Sequence, residues 1–170
     1  YLHLYKKHMP VYQFYKEQKI HTTVDEIWDF VSSPGNLKEI TPDYMGFEIT
    51  TGHTSDVMYP GMIISYKVSP VFGIKMPWVT EITHVLEKDY FVDEQRKGPY
   101  KMWHHEHKII KTDDGVIMKD LITYEPPFGF LGGIANKLFI KKQLNAIFEY
   151  RRKIIDEKYN RNVVTLKQEK

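Results

Sequence analysis

Residues 90–125 read YFVDEQRKGPYKMWHHEHKIIKTDDGVIMKDLITYE, and the reading of this stretch decides the fold. Three runs rich in aromatic and β-branched residues are separated by Gly98-Pro99 and by Asp113-Asp-Gly115. Both separators are turn chemistry, so the runs are expected to be antiparallel strands joined by tight turns. Successive side chains of a strand point to opposite faces, and a hairpin couples the parity of one strand to that of the next. Sorting Pro77 to Glu125 by this rule gives two chemically distinct sets. One holds Glu81, Glu94, Arg96, His104, Glu106, Lys108 and Lys119 and faces water. The other holds Trp78, Ile82, Phe91, Asp93, Gln95, Trp103, His105, His107, Ile109, Met118, Asp120, Ile122 and Tyr124 and faces in.

A turn at Asp113-Asp-Gly115 that pairs Ile110 with Ile117 places His107 opposite Asp120, His105 opposite Ile122 and Trp103 opposite Tyr124. The Gly98-Pro99 turn places Gln95 opposite Trp103 and Asp93 opposite His105. Direct cross-strand neighbours lie about 5 Å apart. Two pairs are therefore expected side by side, His105 with Asp93 and His107 with Asp120.

Outward from this core, Pro77–Leu86, Gly61–Val68 and Met45–Thr51 read as further strands and Val11–Ile20 as the first. Thr23-Val-Asp-Glu26 is a capping box opening a short helix with Ile27, Trp28, Phe30 and Val31 on its buried face. Ser32-Ser-Pro-Gly35 ends it, and Asn36 to Ile40 forms a second short helix before Thr41-Pro42. After Gly132-Gly133 a helical pattern runs to about Lys158, with Ile134, Leu138, Ile140, Leu144, Ile147, Phe148, Ile154 and Ile155 as its apolar stripe. Lys137, Lys141, Lys142, Arg151, Arg152 and Lys153 are read as its solvated side. The whole is one α+β domain over residues 1–158, followed by a loose tail, 159–170.

The composition excludes several classes of function. None of the 170 residues is cysteine, which removes disulfides, thiolate metal sites and thiol nucleophiles, and cytoplasm is the default compartment. With 24 basic against 22 acidic residues no global field draws the chain to nucleic acid. No stretch approaches the ~18 consecutive apolar residues of a membrane span and Tyr1–Pro10 has no apolar core of the signal-peptide kind, so no integral membrane segment is expected. Gly129-Phe-Leu-Gly-Gly133 lacks the Lys-Ser/Thr of a phosphate-cradling loop, so nucleotide binding is not expected. The 12 Tyr, 9 Phe and 3 Trp suit a thick sheet and a cavity lining.

Several motifs together, Ser33-Pro-Gly-Asn-Leu37, Ile40-Thr-Pro42, Phe91-Val-Asp-Glu-Gln95, Gly98-Pro-Tyr100, Trp103-x-His105-x-His107, Asp120 to Tyr124 and Pro127-Phe-Gly129, carry a resemblance. In these motifs, and in the order of its elements, the chain resembles the SRPBCC superfamily, the START-like and pollen-allergen-like helix-grip domains, over about its whole length. One departure is Ile109, where relatives often carry an aromatic residue. The resemblance implies a seven-stranded antiparallel sheet curled around the last helix. It also implies an apolar cavity of the kind that holds lipids, sterols, polyketides or hormones. Members range from cyclases and dehydratases to pure binders, so the fold does not choose among them.

The inward polar residues support several readings. An unpaired buried carboxylate is costly, so Asp93 and Asp120 need partners, and a purely structural His–Asp network satisfies them. A binding site for a hydrophobic small molecule would use Trp78, Ile82, Phe91, Trp103, Ile122 and Tyr124 against an aromatic, lipid- or polyketide-like ligand. Asp93, Gln95, His105, His107 and Asp120 would form its polar floor. A cofactor-independent cyclase or dehydratase would use His105 or His107, oriented by Asp93 or Asp120, as base, with Tyr124 or the other His as proton donor. His-x-His with a neighbouring carboxylate also permits a two-His, one-carboxylate metal site, although the expectation is no metal and no cofactor. A protein-interaction module is a further alternative, with an exposed apolar surface near Phe72–Met76. Val71–Met76 and Thr41–Met45 are candidate lids; oligomeric state is not legible.

Overall fold

The computed structural model describes residues 11–51, 56–71 and 73–160. Its strands are β1 (Tyr12–Ile20), β2 (Glu48–Ile49), β3 (Met62–Val71), β4 (Ile74–Leu86), β5 (Tyr90–Lys97), β6 (Met102–Thr112) and β7 (Gly115–Glu125). They form one antiparallel sheet in the order β1-β7-β6-β5-β4-β3-β2. Helix α1 (Val24–Val31) follows β1, and a continuous C-terminal helix lies across the sheet as α2 (Phe130–Ala135), a π-type turn (Asn136–Ile140) and α3 (Lys141–Ile155), closing with a second π-type turn (Asp156–Asn160). This is the helix-grip fold.

The alternation rule sorted the faces correctly. Along β7 buried and half-buried residues alternate without a break, and Ile109, Met118 and Ile122 are buried. The register also follows: Ile110 pairs with Ile117, His107 with Asp120, His105 with Ile122, Trp103 with Tyr124 and Asp93 with His105. Thr23 and Glu26 make the expected capping box, the Thr23 hydroxyl accepting from Glu26 N at 3.2 Å and the Glu26 carboxylate from Thr23 N at 3.2 Å. Ile27, Trp28, Phe30 and Val31 are then buried against the sheet.

Several boundaries differ from expectation. The expected second helix is a pair of 3-10 turns, Pro34–Lys38 and Asp43–Met45. Gly46 at φ 54° closes the latter, so the strand expected over Met45–Thr51 shrinks to Glu48–Ile49. The expected loop Val71–Met76 is largely hairpin, with Val71 paired to Ile74 and a register shift between Val68 and Val71. Phe72 lies outside the described residues, as do 161–170 of the expected tail; Tyr159 and Asn160 still belong to the helix.

The largest correction concerns the C-terminal helix. Ile140, Leu144, Phe148 and Ile155 of the expected stripe are buried, but Ile134 and Leu138 are 43 % and 57 % exposed, and Gly132, Asn136 and Arg151 complete the inward face in their place. Near its start that face is small or polar for identifiable reasons. A Cβ on Gly132 would stand 2.1 Å from the Pro127 carbonyl, and Asn136 accepts a 2.7 Å hydrogen bond from the Tyr124 hydroxyl. Arg151 is therefore buried, not part of the solvated side.

Candidate functional site

Between the inward face of the sheet and α3 lies a cavity of about 180 Å³. Its walls include Ile64, Tyr66 and Val68 of β3, Trp78, Thr80 and Ile82 of β4, and Leu144, Ile147 and Phe148 of α3. Thr41, Met45 and Phe47 line it as well, so the segment expected as one lid does border it. Aromatic packing shapes the wall. Trp78 and Trp103 meet edge to face with centroids 5.3 Å apart, and Tyr100 lies against Trp103 at 4.8 Å. The Trp78 indole N–H donates to Thr80 Oγ1 at 3.1 Å, and the Tyr66 hydroxyl shares that oxygen at 3.1 Å. The polar tips of Trp78 and Tyr66 are thus paired despite their burial.

Of the residues expected at the site, Trp78, Ile82, Phe91, Asp93, Trp103, His105 and His107 line the cavity together. Four lie off it. Gln95 spends both ends of its amide on the β5–β6 turn, donating to Tyr100 O at 2.6 Å and accepting from Tyr100 N at 3.2 Å. It therefore holds Tyr100 in place and makes no wall of its own. Ile122 and Tyr124 are covered by Ile140, Leu144 and Phe148. Asp120 sits behind the histidines. Tyr66, Tyr100 and Arg151 line the cavity and were not expected there. For Arg151 the signal was available, since it stands three residues after Phe148 and four before Ile155 on one helical face.

The floor is a four-residue cluster, and its bonding corrects the expected pairs. Although Asp93 faces His105 and Asp120 faces His107 in register, the hydrogen bonds run diagonally. His105 Nε2 bonds Asp120 Oδ1 at 3.0 Å and His107 Nε2 bonds Asp93 Oδ2 at 2.8 Å. Diagonal neighbours across a strand pair lie within reach of so long a side chain. The direct partners remain close. His105 Nδ1 is 3.3 Å from Asp93 Oδ2, and His107 Nδ1 is 2.9 Å from Asp120 Oδ1, without hydrogen-bond alignment. The imidazoles stack with centroids 3.6 Å apart, and Phe91 packs on His107 at 4.1 Å.

Electrostatics explains why this cluster tolerates burial. Arg151 donates to the same Asp120 oxygen at 3.1 Å, so three nitrogens converge on one carboxylate atom. Burial pushes Asp120 upward, but the Arg151 charge and the His105 hydrogen bond outweigh it and hold the carboxyl well below the usual range. Burial acts the same way on Asp93 and is likewise outweighed, by hydrogen bonds and charge from His105 and His107. For His105, burial disfavours the imidazolium, yet bonds to Asp120 and Asp93 raise it above an ordinary imidazole. Asp93 has 16 % of its side chain exposed and Asp120 only 4 %, so Asp93 is the member of the acid pair that meets the cavity.

The profile of a family described as polyketide cyclase / dehydrase and lipid transport matches residues 20–148. The chain belongs to that family. The expected SRPBCC resemblance is thereby borne out. No curated protein matches by sequence. Among solved structures, a START superfamily protein from Mycobacterium smegmatis superposes with a TM-score of 0.64 at 13 % identity, covering 87 % of this chain and 97 % of its own. The di-domain ARO/CYC StfQ of the steffimycin biosynthetic pathway gives 0.63 at 11 %, covering 89 % of this chain and 53 % of its own. A norcoclaurine synthase variant from Thalictrum flavum, solved with a transition-state analogue, gives 0.59 at 18 %, covering 87 % and 96 %. At these identities the likeness is one of fold. Among the described residues no helix is long and apolar enough to cross a membrane.

Proposed function

We propose that this protein binds a small apolar molecule carrying at least one oxygen function in the cavity between the sheet and α3. The observation that supports this reading is the contrast between wall and floor. Aromatic and aliphatic side chains surround a space of about 180 Å³, and Asp93, His105 and His107 enter it from one side. An apolar engineered cavity of about 150 Å³ takes up benzene. The occupant that fits without rearrangement is therefore about one ring in size, with a hydroxyl or carbonyl oxygen toward the histidines. Larger polyketide- or lipid-like molecules require Thr41–Phe47 to move outward.

The test is an NMR titration with phenol and cyclohexanol as probes. Saturable shifts should concentrate on Trp78, Trp103 and the His105/His107 pair, and Ile147→Trp, which fills the space from the helix side, should abolish them in a folded protein. Unsaturable shifts, or shifts elsewhere, would reject the reading.

One observation favours a second, catalytic reading. His105 is held above the ordinary imidazole value beside Asp93 on the cavity floor, which suits proton transfer to a bound carbonyl oxygen. Such a cyclase- or dehydratase-type enzyme would lose turnover of an identified substrate in His105→Gln while still binding it; unchanged turnover would sink that role.

A further inference from the structure

The histidines raise a question of proton accounting. Asp120 is an anion held by Arg151, so it can only accept hydrogen bonds. Both imidazoles turn one nitrogen to it, His105 Nε2 at 3.0 Å and His107 Nδ1 at 2.9 Å. Only the first of these is an aligned hydrogen bond; His107 Nδ1 has no hydrogen-bond partner. The other two nitrogens, His105 Nδ1 and His107 Nε2, both face Asp93 Oδ2, at 3.3 Å and 2.8 Å, the second as a hydrogen bond. Three atoms able to ligate a cation thus converge on one point. The charges agree: the two carboxylates of the cluster face one guanidinium, so a cation among the three atoms balances it.

We propose that Asp93, His105 and His107 form a binding site for a divalent transition-metal ion of the Zn²⁺ type, with its open coordination position toward the cavity. One donor atom from each of the three residues lies within 4.8 Å of the others. Ligand atoms about 2.0 Å from a tetrahedral zinc ion stand about 3.3 Å apart, close to the 3.3 Å and 2.8 Å separations observed. Asp120 occupies the outer position that metal-bound histidines normally require, hydrogen-bonded to His105 Nε2 at 3.0 Å and 2.9 Å from His107 Nδ1. Arg151 holds it ionised at 3.1 Å. Two imidazoles and one carboxylate form a borderline donor set suited to Zn²⁺, Co²⁺ or Fe²⁺ and poor for Mg²⁺ or Ca²⁺. Asp93, His105 and His107 all line the cavity while Asp120 does not, so the vacant coordination position opens on the space where an oxygen-bearing molecule would sit.

This inference does not depend on the apolar-ligand reading, and its test uses metal alone, so either can fail without the other. The intact chain, stripped with chelator and returned to chelator-free buffer at neutral pH, is titrated with Co²⁺ and then Zn²⁺. The expected result is one Co²⁺ per chain with the strong visible absorption of a four- or five-coordinate ion, displaced by Zn²⁺. Asp93→Asn and His107→Gln should each weaken binding by more than ~100-fold, and Asp120→Asn by about 10–100-fold. Absence of saturable absorption overturns the proposal, and so does affinity unchanged in Asp93→Asn and His107→Gln, which would place the ion on surface histidines. Should His107→Gln fail to fold, Asp93→Asn decides, together with urea unfolding of the unaltered chain. Zn²⁺ must raise its midpoint, and no shift rejects the site.

Discussion

Replacing Arg151 by Met tests the electrostatic logic of the site in metal-free protein. The guanidinium is the fixed counter-ion of Asp120, at 3.1 Å, and both side chains are under 10 % exposed. Met keeps most of the apolar stem, so the packing against Phe148 largely survives and the charge is what disappears. Removing one member of a buried ion pair typically costs about 3–5 kcal/mol, because the other charge stays buried. Here the lower end is expected, about 3 kcal/mol, since His105 still hydrogen-bonds the same oxygen. The loss depends on pH. His105 has a folded value above its unfolded value of about 6.5, so its proton stabilises the fold fully below that pH, and the effect fades as pH rises through the folded value. With Arg151 gone, that proton becomes the main compensation. The deficit should therefore be larger at about pH 8 than at about pH 6. Urea unfolding followed by tryptophan fluorescence reads it directly: at an m-value near 2 kcal/mol/M, about 3 kcal/mol moves the midpoint by about 1.5 M. Adding Asp120→Asn to Arg151→Met should recover much of the loss, because no unpaired anion then remains. A deficit under about 1 kcal/mol, or additive single and double variants, would refute the counter-ion role.

Three further outcomes are expected. Ile155→Ala, at a fully buried position, should cost about 2–5 kcal/mol in urea unfolding, whereas Leu138→Ala, 57 % exposed, should stay within about 0.5 kcal/mol; the reverse order would overturn the assigned helix face. Asn136→Ala leaves the buried Tyr124 hydroxyl without its acceptor and should cost about 1–3 kcal/mol, much of it recovered by adding Tyr124→Phe; equal costs in the single and double variants would contradict the bond. Asp93 and Asp120 have folded values below their unfolded ones, so their stabilisation is complete above the unfolded carboxylate range and is lost as pH falls through the folded values. Asp93→Asn should accordingly flatten the acid limb of the stability profile, and an unchanged limb measured by thermal melting would count against it.

Much of the site was legible because β-structure couples local sequence to space through a rigid rule. With a side-chain period of two and a turn at Asp113-Asp-Gly115, parity alone placed His105, His107, Asp93 and Asp120 on one face in the right register. The helix was read less well. The stripe through Ile134 and Leu138 looked apolar, but close approach at Gly132 and the bond to Asn136 decided which side turned inward. Arg151 reads as solvated with the other basic residues of the helix, although its spacing to Phe148 and Ile155 matches the buried face.

By itself, then, the sequence determined the order of elements, the inward face of the sheet and the register of its hairpins, all set by alternation, turns and caps acting over a few residues. Tertiary structure decided the rest. Which imidazole nitrogen meets which carboxylate oxygen depends on side-chain reach across two strands at once. That Arg151 completes the cluster depends on where α3 crosses the sheet. The size of the cavity depends on how closely that helix, β3 and the segment Thr41–Phe47 approach one another, a balance of packing among segments far apart in the chain.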